Sequence, residues 1–193
     1  FGSAQTSNLI SVFADLAGHP DTNFLVRLLG VFIYMFALSL TVILPKFTKL
    51  HLPYVSLCID ALAALIVAFL PSNLNDFIAL YPLYFAMAIQ WCSFKGGDGF
   101  TCSTIFSTNN LRQFTTSMTE YLLSKDPDAL RKWKFFASVL LSFHFGVIVS
   151  YLSCKNFGQM GSLVCFLPVV SGFSLVYVKR HFVAVKHLVY RLW

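Results

Sequence analysis

Five apolar runs alternate with short polar segments along the chain, over residues 23–44, 54–70, 77–91, 135–152 and 161–178. A helix needs about 20 mostly apolar residues to cross the hydrocarbon of a bilayer. The runs meet that length or fall a little short, the third most of all. The pattern predicts an all-α fold: a polytopic transmembrane helical bundle with five spans, filling residues 1–178. Helix breakers punctuate it. Gly18-His19-Pro20-Asp21 turns the chain ahead of the first span, Pro45 stops that span, and Pro53 opens the second, where its fixed φ suits a helix start. Pro71-Ser72-Asn73 makes a turn, and Lys95-Gly96-Gly97-Asp98-Gly99 breaks the chain as a hinge or a simple turn. Asp126-Pro127-Asp128 caps the helix that becomes the fourth span, with acid where the helix dipole favours it. In residues 179–193, Phe182, Val185, Leu188, Val189 and Leu192 recur at helical spacing with Lys186, His187 and Arg191 between them. That spacing predicts a separate amphipathic tail on the membrane surface, with Tyr190 and Trp193 at headgroup level.

Composition agrees with the pattern. The chain is 57% apolar and 11% charged, against roughly 25% charged in a typical soluble domain. A water-soluble globule would have too little polar surface to cover five such helices. If the runs cross alternately, all of the 14 basic residues except Arg27 and Lys155 emerge on one side. These are Lys46, Lys49, Lys95, Arg112, Lys125, Arg131, Lys132, Lys134, Lys179, Arg180, Lys186 and Arg191. Such a bias in short loops marks the cytoplasmic face, so the expectation is a multi-pass protein of the cytoplasmic membrane with its C-terminus inside. The formal charge of +6 is then attraction to anionic lipid headgroups, and no nucleic-acid motif accompanies it. The five cysteines, Cys58, Cys92, Cys102, Cys154 and Cys165, are odd in number and form no CxxC pair, so neither a disulfide framework nor a metal is expected. The opening Phe1 to Ile10 reads as the end of a segment. One further helix ahead of it would give six spans with both ends inside.

Two short segments echo one another, Gln5-Thr6-Ser7-Asn8-Leu9 and Ser107-Thr108-Asn109-Asn110-Leu111. Each reads Thr-x-Asn-Leu, follows a Phe (Phe1, Phe106), and precedes an Asp-containing turn and a long apolar run. Three spans lie between them, so the second copy is inverted relative to the first, as in the 3+3 inverted repeats of many transporters. On these residues, on Ala86-Met87-Ala88-Ile89-Gln90 and on the Ser/Thr-rich stretch 103–118, the chain resembles the YoaK-like family of bacterial six-span membrane proteins. Ser7 stands where that family has Gly in Thr-Gly-Asn, and Ala88 where it has Gly in Ala-Met-Gly-x-Gln. The resemblance covers nearly the whole chain. It implies a bacterial inner-membrane protein with the first of six helices lying ahead of Phe1, and it implies no substrate.

Candidate chemistry lies at the helix breaks. Thr6, Asn8, Gln90, Trp91, Thr108 and Asn110 are neutral polar or amphipathic groups that could line a mid-membrane site for an uncharged or zwitterionic solute. Thr and Asn at such places also cap helix ends. Asp60, two turns into the second span, and His144, near the centre of the fourth, are candidates for proton coupling, because ionisable groups at depth are functional hypotheses by default. Arg27 reads as a side chain reaching outward to the interface. Ser138, Ser142, Gly146 and Ser150 recur every four residues and predict a close helix-packing face. No Ser-His-Asp set, paired carboxylates, HExxH or P-loop is present, so neither an enzyme nor a cofactor is expected. The leading expectation is a small-molecule transporter or solute-binding membrane subunit, as a homo-oligomer or with a separate energising subunit. The alternative is a non-transporting scaffold or sensor that binds a lipid or protein partner through its basic face.

Overall fold

The computed structural model describes residues 5–18, 24–71 and 73–189, with side chains through His181. It is mostly helical. In chain order the helices are α1 (Gln5–Ala17), α2 (Phe24–Phe47), α3 (Leu52–Ala68), α4 (Asp76–Ala79), α5 (Tyr81–Ser93), α6 (Thr108–Ser124), α7 (Pro127–Phe157) and α8 (Phe166–Val189). Two short strands, β1 (Gly96–Gly97) and β2 (Phe100–Thr101), join α5 to α6, and a 3₁₀ segment, Gly158–Cys165, joins α7 to α8. The turn at Gly18 to Asp21, residue Ser72, and Tyr190 to Trp193 lie wholly or partly outside the described residues, as do the apolar side chains of the tail.

The five apolar runs map onto α2, α3, α5, α7 and α8, but with different lengths. Helix α2 is long and apolar enough to cross a membrane, and so is the run Pro127–His181. Helix α3 has 17 residues and α5 has 13, below the ~20 of a perpendicular crossing. Pro82 in the first turn of α5 is the local cause there: it has no N–H to continue a helix from α4, so the chain steps at Leu80 and restarts. Pro45 does not stop α2, which continues to Phe47; Thr48 closes the end by bonding Leu44 O through both its N–H and its hydroxyl. Helix α7 starts at Pro127, well before the apolar run, because its first turns pack on α6. Residue Gly161 falls in the 3₁₀ segment rather than opening a span. Helix α8 runs unbroken past Lys179 to Val189, so the expected tail is continuous with the last apolar helix.

Helix α5 lies between α2 and α3, and α1 packs on α2. The core here is Tyr34 and Ala37 of α2 with Tyr84, Ala88 and Ile89 of α5. Small residues let the two backbones approach: a Cβ on Gly30 would run into the Tyr84 ring. Helix α3 packs antiparallel to α8, as the pairings Ala64 with Ser162, Leu57 with Gly172 and Tyr54 with Phe173 require. Ser162 donates to Ala64 O at 2.8 Å. Helix α6 lies antiparallel on α7, with Trp133 against Phe114 and Tyr121.

The glycine-rich break is a tight β-hairpin. Gly96 pairs with Thr101 and Gly97 with Phe100, and the two loop residues Asp98 and Gly99 both have positive φ, the conformation Asp-Gly favours in a two-residue turn. Gly96 also has positive φ, with the Phe100 carbonyl against the space a Cβ would take. Arg131 of α7 holds the turn: its guanidinium lies 3.4 Å from the Asp98 carboxylate and stacks over the Phe100 ring.

Candidate functional site

The two echoed segments open two similar helical pairs. In each, a short helix carrying the Thr-x-Asn-Leu element turns back antiparallel onto a long one: α1 on α2, and α6 on α7. A second pair of short segments also matches. Leu52-Pro53-Tyr54-Val55-Ser56 opens α3, and Leu167-Pro168-Val169-Val170-Ser171 lies at the start of α8. Each Thr-x-Asn-Leu segment is therefore followed by a long helix and then by a helix with Leu-Pro-x-Val-Ser at its start. The signal was present in the sequence but offset by 115 rather than 102 residues, because α7 and the 3₁₀ segment are longer than α2 and its loop.

Around α1 the polar side chains converge. The Asn8 side chain of α1 lies near enough to the Tyr84 hydroxyl of α5 to interact with it. One turn earlier in α5, the Tyr81 hydroxyl donates to Val26 O at 2.8 Å. Arg27 of α2 reaches back to Asp15 of α1, Nη1 to Oδ2 at 2.7 Å, and its guanidinium lies over the Phe77 ring at 4.8 Å. The pair is well sheltered, with side chains 20% and 18% exposed. Arg27 therefore does not simply extend to water. Tyr81, Tyr84 and Asp15 escaped the sequence reading, since nothing in a single chain links residues 12 or 76 apart before α1, α2 and α5 are folded together.

Asn110, at the start of α6, is fully buried. Its Oδ1 accepts from the Ser103 N–H at 3.2 Å, and its amide nitrogen donates to Ser103 O at 2.6 Å and Phe106 O at 2.9 Å. Both amide hydrogens are thus committed to the backbone, and the side chain staples the loop between β2 and α6. Thr6 and Thr108 are exposed on their helices. Gln90 is half-buried in α5, and Trp91 sits edge-on to Phe106 at 5.1 Å. Asp60 accepts a long hydrogen bond from Ser56, 3.5 Å. The exposed His144 ring meets only its own helix, Nδ1 to Leu140 O at 2.8 Å. Asp60 and His144 stand on α3 and α7, which do not pack along one another among the described residues. The predicted site residues thus fall into two groups, Asn8 with α5 and Asn110 with its loop. Neither of two open grooves, one between α3 and α8 at Tyr54 and Phe173 and one along α6 at Thr116, includes any of them.

The Asn110 staple has a direct consequence for its neighbour. Cys102 is buried in the stapled loop, and burial pushes its thiol pKa upward, leaving less of the reactive thiolate. Asn110→Ala leaves the Ser103 N–H unpaired, a loss of about 1–3 kcal/mol. That should open the loop roughly fivefold or more often. Maleimide labelling of Cys102, read by peptide mass spectrometry, is expected to rise accordingly while that of the exposed Cys154 stays constant; unchanged Cys102 labelling would refute the staple.

A family model described as a protein of unknown function (DUF1275) matches residues 1–176, and the YoaK-like proteins fall in the same family. No curated protein and no solved structure matches the chain.

Proposed function

The chain belongs to the DUF1275 family, and from that premise we propose that it is a multi-pass membrane protein that binds or transports a small solute between two inverted halves. One observation carries the reading: both Asn residues of the echoed element lie in the first turn of short helices that turn back onto long ones. Broken helices of this kind, ending at depth, build solute sites in inverted-repeat transporters. In this reading α2, α3, α5, α7 and α8 cross the bilayer, the short α3 and α5 by local thinning of the bilayer or snorkelling of flanking residues. The basic residues of the α2–α3 and α6–α7 connections then face the cytoplasm with the C-terminus. The solute-facing groups are Asn8 with Tyr84 near the start of α5, and Gln90 with Trp91 near its end, beside the stapled Asn110 loop. Thr6 and Thr108 flank them, and Asp60 and His144 remain candidates for coupled proton movement. The reading includes no catalytic step.

The test is a thermal-shift screen of the detergent-purified protein against free amino acids and their amides. A specific ligand raises Tm by mass action. Tyr84→Phe, which deprives Asn8 of its hydroxyl partner, is expected to weaken a hit by about 10-fold or more if that pair binds solute. A hit unaffected by Tyr84→Phe, Asn8→Ala and Gln90→Ala would sink the site.

The scaffold reading keeps one supporting observation, the close apolar core of Tyr34, Ala37, Ala88 and Ile89. It predicts no hit in that screen, and loss of binding to anionic vesicles on charge reversal at Lys132 and Lys134.

A further inference from the structure

Helix α8 overhangs the start of α3. Along the antiparallel pair, Ser162 bonds Ala64, Gly172 meets Leu57, and the Phe173 ring stacks on Tyr54 with centroids 5.9 Å apart. There α3 runs out: its first helical residue is Leu52, and His51 before it is extended. Helix α8 continues to Val189, roughly 24 Å beyond Phe173. The step leaves an open groove of about 380 Å³, lined by Tyr54, Phe173, Ser174, Tyr177 and Val178, a size in the range of ligand sites.

The lining is uncharged, and rings extend it on both helices. His51 lies against Tyr54 at 5.3 Å between centroids, and His181 against Tyr177 at 4.2 Å. Basic residues stand beside these rings. Lys49 comes just before His51, and Arg180 is about one turn on from Tyr177 on the same side of α8; both are exposed. No acid on either helix opposes them there. Helix α8 has no Asp or Glu, and the one acid of α3, Asp60, lies roughly 9 Å further along the helix from Tyr54.

We propose that this groove holds one anionic phospholipid of the inner leaflet, with its phosphate between Lys49 and Arg180 and an acyl chain along Tyr54, Phe173 and Val178. The inference rests on the membrane reading, in which the start of α3 lies at the cytoplasmic face, and not on the solute site. Tyrosines at that depth meet the boundary of headgroup and acyl chain, and a basic pocket between helices on the cytoplasmic side suits an anionic headgroup. A quaternary ammonium, which aromatic rings also attract, is repelled by the same two cations. The bound lipid joins the start of α3 to the overhang of α8.

The experiment is native mass spectrometry of the full chain, released from detergent micelles after titration with phosphatidylglycerol or phosphatidylcholine. One phosphatidylglycerol per chain is expected to bind about tenfold or more tightly than phosphatidylcholine. Lys49→Gln/Arg180→Gln is expected to abolish that preference, and Tyr177→Ala to weaken both lipids. Tyr177 is exposed, so its loss leaves the fold standing. Lys95→Gln/Arg112→Gln removes the same charge from the α5–α6 region of the same face and should change neither affinity. Equal binding of the two lipids, or an equal loss in the Lys95/Arg112 variant, would mean general attraction to a basic face and overturn the proposal. Displacement of the lipid by millimolar inorganic phosphate would make the occupant a free phosphate and overturn it too. Recovery of the protein in the soluble fraction after carbonate extraction would instead overturn the membrane reading beneath it.

Discussion

Asp15→Asn is expected to destabilise the protein by about 3 kcal/mol or more, because it strands the Arg27 guanidinium in a sheltered site; breaking one partner of a buried ion pair typically costs about 3–5 kcal/mol. The pair is part-buried, with a partner distance of 2.7 Å and both side chains about a fifth exposed, so the cost lies at the low end of that range. The Phe77 ring on the other face of the guanidinium cannot replace the carboxylate's hydrogen-bond acceptor. Arg27→Met alone should be similarly harmful, since it leaves the carboxylate unpaired. The double variant Asp15→Leu/Arg27→Met should recover most of the loss, since replacing both charges by apolar groups removes the desolvation penalty with the attraction. A double-mutant cycle on thermal unfolding isolates the coupling; a coupling energy near zero would mean the pair is not formed. The Arg131–Asp98 pair provides the contrast. It is longer, at 3.4 Å, with both side chains 56% exposed, so Arg131→Met should cost no more than about 1 kcal/mol.

Gly161→Ala should have the second large effect. A Cβ there would lie 2.5 Å from the Cys154 nitrogen and 2.6 Å from both the Cys154 Cα and the Ser153 carbonyl carbon. These are backbone atoms of the last turns of α7 and cannot rotate away as a side chain would. Overpacking of this kind costs about 1–3 kcal/mol, and it also moves the Gly161 carbonyl that accepts from Ser153. For a chain of this size such a loss lowers Tm by roughly 5–10 °C. Gly97→Ala is the matched control: the nearest atom to its Cβ is on the Phe135 ring at 3.7 Å, an ordinary contact. Equal melting temperatures for the two variants would show that the return of the chain after α7 is not as described.

The helices were largely legible in the sequence, and the reasons they departed from it are local. The apolar runs located α2, α3, α5, α7 and α8, because apolar residues in number can be satisfied only by lipid or by packing. Their ends were less legible. Helix α7 begins with charged turns because α6 offers Phe114 and Tyr121 to Trp133, a tertiary fact with no trace in hydropathy. The hairpin at residues 96–101 was signalled by Asp98-Gly99, a dipeptide suited to two consecutive positive φ angles, but the flanking strands are too short to show alternation. Among the site residues, the Thr-x-Asn-Leu echo did single out the two short helices. It could not tell that Asn110 would give its amide hydrogens to Ser103 O and Phe106 O, while Asn8 would meet a tyrosine from α5. Identical side chains in related elements take different roles once their neighbours differ. The partner of Arg27 was hidden for a plainer reason: it lies 12 residues upstream, across a turn, beyond the reach of any within-helix spacing rule.

The contact between Ala64 and Ser162 spans 98 residues, whereas the hairpin, α6 and α7 meet neighbours close along the chain. Pairings of short loop length form early, and those closing long loops form late. During synthesis the Ala63, Ala64 and Ala68 face of α3 is made long before the segment that covers it leaves the ribosome. Helix α3 must therefore wait with one flank uncovered until α8 arrives to pack on it.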